Sequence, residues 1–342
     1  MQRRPTHVPI TGAHDGAIRA GLEVDAVART VRRLTRIEAE GSPERLDALL
    51  QWTFRRHAVA MARSYGAVVD DLSAARAAAG DMDGITGRGE RVVHGAVAAM
   101  RELHASTLDD EPVPPDAVVE AVGRTRALDG KTMSDASRVA LQSVAERVAD
   151  ILNALSDAPG PTAGVAATDA LGAIPGLAET GMGDVIVDVV APVMLGAAFG
   201  TVLPLPSVGP PPSRPDAPDP IARADVAATA LERVDDGFAV ATESVVRALD
   251  GFYRCAELAE VVVGRPVFTW KTVVDAGIVG RDTARLFVNA ALEAGIVRNL
   301  RPEHRSGRVF VFPATVSTGM DDDAPSPVLA LTGRGLDGDP LP

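Results

Sequence analysis

One cysteine, Cys255, is the whole thiol complement of this 342-residue chain. That excludes an internal disulfide and a thiolate pair for zinc, and it fits a reducing cytoplasm. Its apolar neighbours read as a helix, so a buried, inert thiol is expected there rather than a nucleophile. Aromatic residues make up only 4% of the chain, and alanine and valine supply much of the apolar content. This disfavours an aromatic-rich all-β fold and points to close-packed helices. Positive charge is short as well, with 34 Lys and Arg against 46 Asp and Glu and a net charge of −12. Such a chain does not coat nucleic acid or an anionic membrane over its whole surface, so any DNA contact must come from a local basic patch. Lys131 and Lys271 are the only lysines, which leaves arginine to carry that patch.

Recognisable cofactor and metal chemistry is lacking too. The six histidines (His7, His14, His57, His94, His104, His304) are scattered, and His94 and His104 lie too far apart in helical phase to share a metal. The glycine-rich run GDMDGITGRG (80–89) lacks the lysine and hydroxyl of a P-loop, and its Asp81 and Asp83 lack the remaining ligands of a calcium loop. No cofactor and no metal is expected. The first residues, MQRRPTHVPITGAHDG, are basic but have no apolar stretch of a signal peptide. One run, Val185 to Leu203 (VIVDVVAPVMLGAAFGTVL), has the length of a membrane span, yet it contains Asp188, Pro192, Gly196 and Gly200. It is read as a buried core helix, with no membrane partner.

Proline and glycine mark the joints. The organisation expected from them is a disordered N-terminus (1–16), a helical domain (17–204), a Pro-rich linker (205–220), connecting helices (221–253), a winged helix-turn-helix (254–315) and a disordered acidic tail (316–342). The linker prolines favour an extended, semi-rigid spacer. Within the helical region, Ser42-Pro43 fits an N-cap followed by proline at the first helical position. Leu46, Leu49, Leu50, Thr53, Phe54, His57 and Met61 then recur at helical spacing. Leu141, Val144, Val148, Ile151 and Leu155 make a second apolar stripe, and weaker helices run from Leu22 to Glu40 and from Arg91 to Ala105. Ile221 to Leu249 reads as one or two more. The fold class is mostly α, with a small β wing at the C-terminal end.

That end carries the strongest pattern. Cys255 to Val263 is an apolar helix, Arg265-Pro266 breaks it, and Thr269 can cap a short second helix. Two glycines in DAGIVG provide a turn, and Arg281 to Ala294 forms a third helix with Leu286 and Phe287 near its core side. Gly295 stops it. In RVFVF (308–312) alternation puts Val309 and Val311 on one face of a strand and Phe310 and Phe312 on the other. Arg281, Thr283, Arg285 and Asn289 begin and line the third helix, while Arg298, Arg301, His304, Arg305 and Arg308 lie in or beside the wing. These nine residues are the candidate DNA contacts.

The run PVFTWKTVVDAGIVGRDTARLFVNAALEAGIVRNL, followed by a basic loop and GRVFVFP, is similar to the C-terminal winged helix of bacterial Fic (Fido) family proteins. Further upstream, QWTFRRHAVAMARSYGAVVDDLSAA and RVVHGAVAAMRELHA resemble the family's early helices. In that register Gly66 takes the glycine of the family's inhibitory Ser-x-x-x-Glu-Gly motif and Tyr65 replaces its glutamate. The nucleotide-transfer motif HPFxDGNGR is absent, and no histidine or arginine lies between Pro159 and Pro204 to act as base or phosphate ligand. What the resemblance implies is a degenerate Fic-like scaffold without transfer chemistry. The leading reading is a DNA-binding regulator with a helical sensor or partner-binding domain. The alternatives are a diverged Fic-like AMP transferase with a site near Glu179 to Asp184, and a protein-interaction module that binds no DNA. Double-stranded DNA is the expected partner, with a second copy of the chain and a protein held by the helical region as further candidates.

Overall fold

The computed structural model describes residues 11–81, 83, 87–108, 111–127, 135–302 and 308–313, with side chains from residue 21 onward except 125–127. Helices dominate: α1 (Thr11–Glu40), α2 (Pro43–Ser64), α3 (Asp71–Ala78), α4 (Arg88–Leu108), α5 (Pro115–Ala127), α6 (Asp135–Asp157), α7 (Pro161–Gly172), α8 (Gly183–Ala198) and α9 (Pro220–Ala248). There follow α10 (Cys255–Gly264), β1 (Val267–Phe268), α11 (Trp270–Asp275), α12 (Arg281–Glu293), β2 (Arg298–Asn299) and β3 (Phe310–Val311). The N-terminal joint differs from expectation, because residues 11–16 are already helical and continue into α1. Residues 1–10 and the expected tail (316–342) lie outside the described residues.

Local signals set several boundaries. The Ser42 hydroxyl accepts from the Arg45 N–H and Pro43 opens α2, so one orphan donor of the helix start is satisfied and another is missing by chemistry. At α11, Thr269 and Thr272 cap each other reciprocally. α9 is a single 29-residue helix, where one or two were expected. It runs parallel to α1, and a ladder of ion pairs climbs both together: Arg29 with Asp225 (3.1 Å), Arg33 with Asp225 (3.0 Å) and Glu232 (3.0 Å), and Arg36 with Glu232 (2.9 Å).

The buried apolar residues form two large cores and one small cluster, and the border between the large cores does not follow the chain joints. One core joins the second half of α2 to α3–α8 and includes Phe54, Met100, Leu103, Leu141, Leu152 and Val190. The other joins α1 and the first half of α2 to the end of α8 and to α9–α12, with Leu49, Trp52, Leu231, Leu258, Phe287 and Phe312. α2 therefore serves both, and its side chains are buried on nearly all sides over residues 52–59. α10 crosses it so closely that a Cβ on Gly264 would lie 2.3 Å from the Ala48 Cβ. The small sheet has strand order β1-β3-β2, antiparallel throughout, with Phe268 opposite Phe310 and Arg298 opposite Val311. As the alternation requires, Phe310 and Phe312 enter the second core, while Val309 and Val311 meet Ala75 of α3 and Val267.

The Pro-rich segment is a correction. Leu205 and Ser207 are buried, and the Leu205 N–H donates to the Pro192 carbonyl at 2.9 Å. Instead of spacing two domains, 205–219 lies as a strap across α8. It begins as an extended stretch and then turns at 211–217, where the Arg214 and Ala217 N–H groups donate to the Pro211 and Arg214 carbonyls; the proline content alone does not say whether such a segment lies on a surface or in solvent.

Candidate functional site

Two places concentrate polar chemistry. The first is the face of α12. Arg281, Arg285 and Asn289 follow at four-residue spacing, so they share one stripe, and all three are exposed; Thr283 is half-buried. The Arg281 guanidinium sits over the Trp270 ring, 4.7 Å from its centroid, which orients it near the helix start. Arg298 and Arg308 are exposed on the sheet. Leu286, expected toward the core, is 62% exposed within this face, and Phe287 takes the buried position, its ring 5.4 Å from that of Phe252. Acidic neighbours on the same helix are Asp282 and Glu293, both exposed.

Arg301 departs from its expected role. Its guanidinium is paired with Asp81 and, at 2.6 Å, with Asp83, and only 16% of the side chain is exposed. The loop after α3 therefore holds the cation that the sequence offered to a phosphate. His304 and Arg305 lie outside the described residues, so the stripe and flank are formed by Arg281, Arg285, Asn289, Arg298 and Arg308.

The second place is a buried polar knot around α8, and its origin is local. Pro192 has no N–H, so the Asp188 carbonyl four residues earlier loses its helical donor. His57 Nε2 lies 2.6 Å from that carbonyl, and the Ser207 N–H donates to His57 Nδ1 at 3.0 Å. The two contacts fix the tautomer: Nδ1 accepts, so Nε2 carries the proton and donates to Asp188. Burial pushes the imidazole down to about 3, with the nearby Arg223 charge acting in the same direction, so the ring is neutral. The Asp188 carboxylate accepts from the Ser213 N–H (3.1 Å), the Ser213 hydroxyl (2.9 Å) and the Tyr65 hydroxyl (3.1 Å). Burial nevertheless raises it to about 6. Burial, and then the charge of Asp188, moves the Tyr65 hydroxyl above the usual tyrosine range. Arg223, also buried, is lowered to about 10 by desolvation.

Serine, histidine and aspartate thus meet here without forming a nucleophilic triad. The Ser207 hydroxyl makes no hydrogen bond among the described residues, the imidazole bonds backbone groups only, and the Asp188 carboxylate is turned to Tyr65 and Ser213. The knot ties α2, α8 and the strap together. Of its members, the sequence signalled Asp188, as an acid inside an apolar run, and His57, as a polar residue on an apolar helix face. Tyr65 had been singled out only through its place in the inhibitory-motif register, and the pairing of all three was not legible.

The region expected for a diverged nucleotide site, Glu179 to Asp184, does border a cavity of about 490 Å³. Among the described residues its polar lining consists of Thr168, Glu179, Asp184 and Ser213, with neither histidine nor arginine. This lining supplies neither the histidine base nor the phosphate-binding arginine of the resembled transfer motif. Among the described residues, no group of three or more His, Cys, Asp or Glu could hold a metal ion, and no helix is long and apolar enough to cross a membrane. Compared with known proteins, the chain matches no family model and no curated protein.

Proposed function

We propose that this chain is a DNA-binding regulatory protein: residues 254–315 act as a winged helix-turn-helix, and the helical body before them senses a signal or holds a partner. One observation carries the reading, the open face of α12 with Arg281, Arg285 and Asn289 in a single exposed stripe. The surrounding unit supports it. Helix, strand, helix, helix, strand, strand is the element order a winged helix needs, and the short α11 precedes α12 across the turn at Gly277. In such a module the third helix enters the major groove and the flanking sheet reaches phosphates, with Arg298 and Arg308 placed to do so. Arg301 is left out of this assignment. The helical body, 17–204, is taken as a degenerate Fic-like scaffold without transfer activity, in keeping with the acidic lining near Glu179 and Asp184.

Leu286 favours a second reading. A large apolar side chain exposed beside the stripe suits a protein groove better than a phosphate-lined one. Fluorescence anisotropy of labelled random-sequence duplexes, followed from about 50 to 200 mM salt, separates the two. The DNA reading expects affinity that falls linearly with log salt and weakens on Arg285→Ala. Absence of salt-dependent binding even at the lowest salt overturns it and leaves the protein-interaction module.

A further inference from the structure

A cavity of about 360 Å³ opens where the helical body meets the C-terminal unit, away from both the α12 stripe and the knot. Its walls come from α2, α3, α4 and α9 on one side and from the α10–β1–α11 segment on the other. Three arginines line it, Arg55, Arg101 and Arg265, and among the described residues no acid does, in a chain that is otherwise strongly acidic. Arg55 is the deep one, 4% exposed, and burial lowers its guanidinium to about 10 against the charge of Asp71. Arg101 stands exposed at the mouth, hydrogen-bonded to the Gln51 side chain; partial desolvation lowers its guanidinium, Asp47 opposes this and the like charge of Arg265 adds to it. Arg265 is held at 2.7 Å by Asp47, outside the lining.

The remaining lining is apolar and in part aromatic, with Trp52, Phe238 and Val267 facing the same space. A site built this way rewards a specific chemistry. The guanidiniums supply forked donors for a carboxylate or phosphate, the aromatic wall covers a flat body, and the volume matches the roughly 300–1,000 Å³ of small-molecule sites. An inorganic anion alone would leave the apolar wall wet, and a neutral ligand would bring no charge to a lining that presents three guanidiniums.

We propose that this cavity binds a small organic anion, an aromatic or similarly flat body carrying one carboxylate or phosphate, with the anionic head between Arg55, Arg101 and Arg265 and the body against Trp52 and Phe238. The proposal stands whether or not the C-terminal unit binds DNA.

The test is isothermal titration of the full chain with 2-naphthoate, with its neutral isostere 2-naphthamide and with inorganic phosphate. One naphthoate per chain is expected, with the amide and phosphate each bound at least about tenfold more weakly, the difference a charged hydrogen bond or a buried ring makes. Arg101→Gln, at the mouth and outside both cores, should bring naphthoate down to the level of the amide. Ala78→Phe, which fills the cavity from α3 and leaves every arginine in place, should abolish binding of all three, with a thermal melt and circular dichroism spectrum confirming the fold. No naphthoate binding to the unaltered protein, equal affinity for acid and amide, or naphthoate binding that survives Ala78→Phe would each overturn the proposal.

Discussion

Both ring nitrogens of His57 are committed to groups inside the protein, whereas the side chain of Arg285 is committed to solvent. Around α8, polar residues repair the backbone: Pro192 removes a donor, His57 replaces it, and Asp188 gathers the strap through Ser213. Along α12 they repair nothing, since the helix is held by Ala284, Phe287, Val288 and Ala291 on its opposite side. The difference teaches where change is costly. Removing a buried polar group leaves its partners unsatisfied, while removing an exposed one leaves only water.

His57→Ala is the sharpest way to break this comparison. It orphans the Asp188 carbonyl and the Ser207 N–H and opens a cavity at a fully buried position, so a loss of about 3–5 kcal/mol is expected in urea unfolding. Arg285→Ala, measured the same way, should stay within about 0.5 kcal/mol. If Pro192 creates the need for His57, restoring an N–H with Pro192→Ala should shrink the cost of His57→Ala in a double-mutant cycle. Equal costs in both backgrounds would mean that His57 matters only as volume.

Asp188→Asn gives the next largest effect, about 1–3 kcal/mol, because three donors converge on the carboxylate and an amide accepts at only one of its two terminal atoms. Its pH signature is more informative. His57 and His104, lowered by burial to about 3 and about 4 from 6.5, bind protons more readily when unfolded. Their contribution is present above about pH 6.5 and lost as pH falls toward those folded values. Asp188, raised to about 6 from 3.8, has the opposite sign: its contribution is fully present below about pH 4 and lost as pH rises through 6. In the unaltered protein the two trends partly cancel between pH 6 and 4. Asp188→Asn removes the acid's share, so stability should fall more steeply over that interval, followed by urea midpoints at several pH values. A slope unchanged from the parent would show that Asp188 is not the titrating group.

What could be read from the sequence was what is encoded within a few residues. The caps at Ser42 and Thr269, the two-face alternation from Val309 to Phe312 and the long stripes of α2 and α6 are local patterns, and the elements follow them. α3, α5 and α7 escaped because short alanine-rich segments carry little period to detect. The knot escaped for a stronger reason. His57, Asp188 and Ser207 meet across 131 and 150 residues, and no spacing announces that a proline on one helix will be answered by a histidine on another. The strap differs from the expected spacer for the same cause, since its prolines restrict the chain locally and leave the surface it lies on unspecified.

Binding separates the regions at similar magnitude but in another observable. On a preferred duplex Arg285→Ala should cost roughly 1–3 kcal/mol, and on unrelated duplexes far less, if the stripe reads bases. Arg308→Ala should weaken all duplexes alike and lower the slope of log K against log salt by about one. Uniform losses from both substitutions would make α12 another phosphate contact and remove sequence readout from the proposal.

The smallest effect tests the border between the regions, where Asp81 and Asp83 hold Arg301. Replacing both by asparagine removes two charges from a contact in which Arg301 and Asp81 are mostly covered and Asp83 largely exposed; Asp81 also pairs with Arg76, but asparagine keeps an acceptor oxygen at each site, so the loss of stability should be about 1–2 kcal/mol. The freed guanidinium stands just past the end of β2, and two repelling carboxylates are gone from its surroundings. Under the DNA reading, the double variant should bind every duplex more tightly at low salt and gain about one unit of salt slope, matching one added phosphate contact. Arg301→Gln in the double variant should cancel that gain, while Arg301→Gln alone should leave binding near the parental level, because the arginine is already occupied. If the double variant loses stability without gaining affinity, the pairing of Arg301 serves only to dock the sheet against α3, and the exposed cations of α12 act without it.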